Sequence, residues 1–405
     1  MRGRTERPAP RAPSAARRPR GPGLLTAAVV GALVAGTVAV AAPALTAHSG
    51  PSAPAQPQAA PASVEQVTDT CSPMVTALSP RDRIAQRLMV GVDASDPAGA
   101  AAIVKGSQVG GVFLGGNATA LLRDGRMQAL QDASRTPLAV AVDEEGGRVQ
   151  RIDELDGDIP SARQMAASST PEQVTEIART RAEQLRARGV TWNLAPSVDV
   201  SDKPRSSVIG DRSFSDDPDI ATSYARAWAE GQQAGGVYGV LKHFPGHGSG
   251  SGDSHEGSVS TPPLAELEQR DLKPYAALVG PGTPLDGRIG VMLGHLEVPG
   301  LTGENPATVD PAAYRLLREK YRFDGVAMTD DLGAMKAITD RYGLAEATTR
   351  ALAAGADIAL FSNVTAVGPL LDAGEKALAD GRITPEANDA AAARVLESKG
   401  LCSRR

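Results

Sequence analysis

"VYGVLKHFPGHGSGSGDSHEGS", residues 237–258, joins a short apolar run to a segment that holds three of the five histidines in a 405-residue chain. Residues 237–241 read as a buried strand, and Lys242 and His243 stand at its end. Pro245, Gly246 and Gly248 rule out a helix beyond that point, so His243 and His247 are not an i, i+4 pair on one helical face. A strand that ends in polar side chains and runs into a glycine-rich loop belongs to an α/β architecture whose strand ends carry the chemistry.

The same pattern recurs along the chain. Short apolar runs stand at "RLMVGVD" (87–93), "VGGVFLGG" (109–116), "PLAVAVDEEGG" (137–147), "VTWNLAPSVDV" (190–200), "RIGVMLGHLEV" (288–298), "FDGVAMTDD" (323–331) and "ADIALFS" (356–362). With the opening run they make about eight, the number expected of a single (β/α)8 barrel of this length. Asp143, Asp199, His243, His295 and Asp330 fall at run ends, where a parallel barrel forms its mouth. A doubly wound sheet is the competing architecture, but it places ligands at one switch point and would not draw on so many strand ends. Neither a G-x-G-x-x-G nor a P-loop sequence supports nucleotide binding. Between the runs, "SSTPEQVTEIARTRAEQLRARG" (168–189) and "DPDIATSYARAWAEGQQAGG" (217–236) carry helix start signals and spaced apolar residues. They predict covering helices, with Ile177, Leu185 and Trp228 in the core.

Two groups of residues carry chemistry. Asp253 and His255, two apart on the glycine-rich loop, can work as a carboxylate-oriented imidazole, although such a pair on a surface loop is commonly just solvated. Asp330 and Asp331 end a buried run. One aspartate there suits a helix N-cap; two allow Asp330 to act as a nucleophile with Asp331 as its support. A zinc site from His243, His247, Asp253 and His255 is disfavoured, because the usual spacings are missing and Lys242 would set a positive charge beside the ion. No metal, nucleotide or flavin is called for. His247 and His295 read as structural, Gly146-Gly147 as a turn, and Arg148 as an internal ion-pair partner.

"VDEEGGRVQR" (142–151), "IGDRSF" (209–214), "KHFPGHG…DSH" (242–255) and "TDDLGAM" (329–335) resemble, in order, the motifs of glycoside hydrolase family 3 in its β-N-acetylglucosaminidase branch. The resemblance covers about residues 74–400. It implies that Asp330 is the nucleophile of a retaining reaction and that His255, oriented by Asp253, is the acid/base. It also implies that Asp143, Arg151, Arg212, Lys242 and His243 grip sugar hydroxyls. The expected substrates are β-GlcNAc-containing saccharides such as muropeptides or chitooligosaccharides. A β-glucosidase, a phosphorylase using the same site and a non-catalytic envelope sugar-binding protein stand as alternatives.

The ends of the chain add a location. Arg17, Arg18 and Arg20 precede an uncharged apolar run from Leu24 to Ala42, so residues 1–47 read as an export signal or a membrane anchor. Residues 48–70, rich in Pro, Ala and Ser, read as a linker, and 71–405 as the catalytic domain. This places the protein outside the cytoplasm, with membrane contact only through an uncleaved anchor. Net charge is −5 even with seven of the 42 lysines and arginines in the first twenty residues, so the body is more acidic than the whole and nucleic acid is not an expected partner. The only two cysteines, Cys71 and Cys402, flank that body and read as a disulfide in an exported chain. "NAT" at 117 and "NVT" at 363 match the glycosylation triplet and carry no weight.

Overall fold

The computed structural model describes residues 69–116, 119–363 and 366–404. The readings of residues 1–47 and of nearly all of the 48–70 linker lie outside the described residues, as do parts of both glycosylation triplets.

Eight strands form one sheet: β1 (Leu88–Gly91), β2 (Gly111–Leu114), β3 (Ala139–Val142), β4 (Trp192–Asn193), β5 (Tyr238–Phe244), β6 (Ile289–Leu293), β7 (Ala327–Thr329) and β8 (Ala359–Phe361). Every neighbouring pair is parallel, in the order β8-β1-β2-β3-β4-β5-β6-β7. A parallel bridge between Met328 and Ile358 joins the last strand to the first, giving the (β/α)8 barrel.

Strand parity sorts the side chains into two layers. Met89, Phe113, Ala139, Ala141, Trp192, Val240, Met292, Met328 and Leu360 pack together inside the barrel. Their neighbours Leu88, Val90, Val112, Val140, Leu241, Val291, Ala327 and Phe361 face the helices in the other layer. Both faces of each strand are covered, which is why these segments read as unbroken apolar runs.

The run at 190–200 is not one continuous strand. Only Trp192 and Asn193 make the regular ladder, because Pro196 has no N–H to give its neighbour. The track resumes where Val198 N–H bonds the Lys242 carbonyl at 2.8 Å.

The covering helices form where their caps place them. Helix Pro171–Ala187 begins at Thr170, which with Gln173 closes a capping box, and it buries Val174, Ala178, Ala182 and Leu185 along one face. Helix Pro218–Ala234 starts at Asp217, whose carboxylate accepts from the N–H groups of Asp219 and Ile220. The two pack so closely that a Cβ on Gly231 would sit 2.1 Å from the Thr175 carbonyl oxygen. Leu185 and Trp228 are buried, while Ile177 is half-buried against them.

Cys71 and Cys402 are joined in a disulfide, with Cα atoms 5.0 Å apart across 331 residues of sequence. Beside it the Thr70 N–H donates to the Ser403 carbonyl and the Ser403 N–H to Thr70 Oγ1, each at 2.9 Å. Helix Cys71–Ala77 thereby packs on helix Pro385–Ser398 through Val75, Ala392 and Leu396. Closing so long a loop restricts the unfolded chain strongly. Reduction, or Cys402→Ser, is expected to lower the stability of the folded body by about 3–5 kcal/mol, read from urea melts with and without reductant. Superimposable melts would show that the clasp contributes nothing.

Candidate active site

The inward parity that fills the barrel with apolar side chains continues one step past the strands and turns polar. Ala139 and Ala141 lead to Asp143, Tyr238 and Val240 to Lys242, Met328 to Asp330, and Leu360 to Ser362. These residues open into a cavity of about 350 Å³ at the C-terminal ends of the strands, which Arg151, Arg212, His243 and His255 also line. Lys242 and His243 are adjacent in sequence yet both reach it. The β5–β6 register shifts between Lys242 and Phe244, which frees His243 from strict alternation.

Lys242, buried, is held between two carboxylates, with Nζ 2.6 Å from Asp143 Oδ1 and 2.6 Å from Glu145 Oε1. Glu145 in turn accepts two 2.8 Å bonds from Arg212, at Nε and Nη2. Burial alone would push the Glu145 carboxyl up, but Arg212 and Lys242 hold it far below its usual range. The ammonium is affected in the opposite sense: burial opposes its charge, and Asp143 and Glu145 outweigh that and raise its pKa. Arg151 lies 3.8 Å from the other oxygen of Asp143. Its backbone N–H donates to the buried Glu144 carboxylate at 2.5 Å, and burial pushes that carboxyl up to about 7.

Glu145 is the residue of this cavity to which the sequence reading gave no role. The signal was present in the parity: Asp143 faces in, Glu144 out, and Glu145 in again. Gly146 and Gly147, both at positive φ, then turn the chain so sharply that a Cβ on Gly146 would lie 2.2 Å from the Pro160 carbonyl oxygen. Arg148 is the internal ion-pair partner expected of it, with Nε 3.1 Å from Asp211.

Asp330 is 7% exposed and sits at the cavity floor. Burial raises its pKa, but His243, His295, the Asp331 N–H and Lys242 together bring it below the ordinary 3.8. His243 Nε2 faces it at 4.0 Å, while His243 Nδ1 meets Asp199 Oδ2 at 2.7 Å. Asp199 also accepts the His247 backbone N–H at 2.7 Å, so one buried carboxylate fixes the His243 ring and the chain at His247. Burial, with His243 nearby, pushes His247 down to about 4, which leaves it a neutral brace. His295 is fully buried between Thr308 and the Asp331 carbonyl, and burial lowers its pKa too. Asp331 turns away from the cavity floor to accept from the N–H groups of Gly333 and Ser362.

Above the floor, His255 Nδ1 lies 2.7 Å from Asp253 Oδ1, and the same oxygen accepts the His255 backbone N–H at 2.9 Å. Burial raises the Asp253 carboxyl, and the His255 N–H and imidazole bring it below its usual value. The His255 side chain is 56% exposed. Ser254 between them is buried, and its carbonyl accepts the Ala337 N–H at 3.1 Å, which pins the loop to the segment that follows Asp330. Every sugar-gripping and catalytic position expected from the sequence therefore lines one cavity, except Asp253, which stands behind His255.

Residues 80–398 match the glycosyl hydrolase family 3 N-terminal domain. The beta-hexosaminidase LpqI of Mycobacterium tuberculosis is 48% identical over 330 residues, covering 80% of this chain and 83% of the relative. A GH3-family glycosyl hydrolase structure from Mycobacterium smegmatis superposes with a TM-score of 0.76 at 47% identity, covering 81% of this chain and 99% of the other. A family 3 beta-N-acetylglucosaminidase structure from Paenibacillus sp. str. FPU-7 gives 0.72 at 30% identity, covering 80% and 63%. With the barrel, the polar strand ends and the matched span in agreement, this chain belongs to glycoside hydrolase family 3.

Proposed function

We propose that the protein is an exported exo-β-N-acetylglucosaminidase that releases terminal β-linked GlcNAc from cell-wall or chitin-derived fragments with retention at the anomeric carbon. The observation that carries this reading is the pairing of a buried, anionic Asp330 with an imidazole–carboxylate pair, Asp253 and His255, on the rim of the same cavity. The names of the relatives support the hexosaminidase class.

The sugar lies with its hydroxyls against Asp143, Arg151, Arg212, Lys242 and His243, whose positions are fixed by the charge network and not by the ligand. Asp253 holds His255 through Nδ1, which leaves Nε2 to protonate the departing glycosidic oxygen. Asp330 attacks the anomeric carbon from the opposite face and forms a glycosyl ester. The same Nε2, now neutral, takes a proton from water as that water displaces the aspartate. The apolar run at Leu24–Ala42 supports export, and a disulfide suits an oxidising compartment.

Asp330→Ala is expected to lower kcat on an aryl β-N-acetylglucosaminide about 10³-fold or more. His255→Ala should cost about 10²–10⁴-fold on unactivated disaccharides and much less on aryl glycosides with good leaving groups. Equal losses on both substrates would sink the acid role of His255. A preference for β-glucoside over the N-acetyl substrate would overturn the substrate class.

Glu145→Gln leaves Lys242 and Arg212 sharing one carboxylate fewer. The expected result is a rise in KM and a stability loss of about 3–5 kcal/mol, measured by steady-state kinetics and denaturant melts. In the pH profile of kcat/KM, the loss of activity caused by protonating Asp330 should fall below pH 3.8, since its neighbours favour the charged form. An Asp330-dependent acid limb above that value would contradict the electrostatics described.

A further inference from the structure

At the opposite end of the barrel from the catalytic mouth lies a cavity of about 840 Å³. It opens where the strands begin: Arg87 immediately precedes β1, Asp324 lies just before β7 and Asp357 just before β8. Its floor is a satisfied ion-pair cluster. Asp357 accepts from Arg318 at 2.5 Å and from Arg394 at 3.1 Å, and Asp324 pairs with Arg394 and Arg404.

Three further guanidiniums lining the cavity are not neutralised in this way. Arg87 is 2% exposed and bonds only neutral oxygens, those of Asn388, Leu352 and Ala356. Its Nε is buried with no partner at all. Arg315 and Arg322 line the rim without an ion pair among the described residues. A fourth, Arg382, reaches Asp380 only at 3.7 Å. Asp357 offsets part of the Arg87 charge through space, but the Arg87 guanidinium makes no charged hydrogen bond, and arginine forks such as those on the exposed rim match the oxygens of phosphate.

We infer that this arginine-lined cavity at the N-terminal end of the barrel is an anion site that takes a phosphate or phosphate ester, with Arg87 at its floor and Arg315, Arg322 and Arg382 at its rim. Its volume far exceeds a phosphate ion and falls in the range of pockets that hold small organic ligands. The site is independent of the glycosidase reading.

The test is the melting temperature of the whole protein in inorganic phosphate, on the order of 10 mM, against chloride at matched ionic strength. A second sample carries Arg315→Glu with Arg382→Glu, both exposed and remote from the catalytic cavity. A rise of about 2–4 °C in the native protein that disappears in the double variant supports the site. No rise in the native protein overturns it. So does a rise that persists in the variant, which would reflect general salt exclusion or binding at the catalytic cations. Cooperative melting of the variant in chloride reports its fold without recourse to activity. Where the site is supported, co-sedimentation with phosphatidylglycerol vesicles identifies a lipid headgroup as the source of the phosphate, and its absence identifies a soluble ester.

Discussion

A lysine ammonium at the end of a barrel strand cannot be taken out of water unless anions surround it, and Lys242 is 2% exposed. Most of the site follows from that constraint. Asp143 and Glu145 come from one strand end because strand parity returns every second side chain inward. Glu145 then has a second face, which Arg212 fills with both arms of its guanidinium. Positive and negative groups alternate from Arg151 through Asp143, Lys242 and Glu145 to Arg212. The result is a polar floor whose donors and acceptors hold one another in place, and preorganisation of this kind is what would make hydrogen bonds to the hydroxyls of the proposed sugar selective.

The two groups proposed to react are carried differently. Asp330 grows out of β7 and is framed by buried histidines, each fixed by a partner. His255 rides on a glycine-rich loop and is half in solvent. Beside His255 the loop is held by Ser254, tucked against Met335 and bonded through its carbonyl to Ala337. The loop that carries His255 is thus fastened to the segment leading away from Asp330, so the spacing between the two is governed locally.

Much of this could be read from the chain. Eight apolar runs became eight strands because a barrel buried on both faces leaves no alternation to obscure them. Polar residues at run ends became the mouth for the same reason. The run at 190–200 misled because apolar content does not reveal that Pro196 withholds a donor. Glu145 was missed because its role is to hold other residues in place, and no property of a lone glutamate reveals two cations waiting across the barrel from residues 67 and 97 positions away. The arginine cavity was invisible for a similar cause: its members are scattered from Arg87 to Arg394 and converge only when the last helix packs on the segment leading into β1.

That closure also determines how force would pass through the molecule. The chain enters the body at Asp69, and two residues later it is covalently bound to Cys402, beyond the final helix. A pull applied upstream of Asp69 is therefore carried into helix Pro385–Ser398 through a covalent bond, and β1 and the barrel ladder lie outside the direct line of load. When the segment before Asp69 is pulled against the residues after Cys402, the barrel comes under load only once the disulfide has broken.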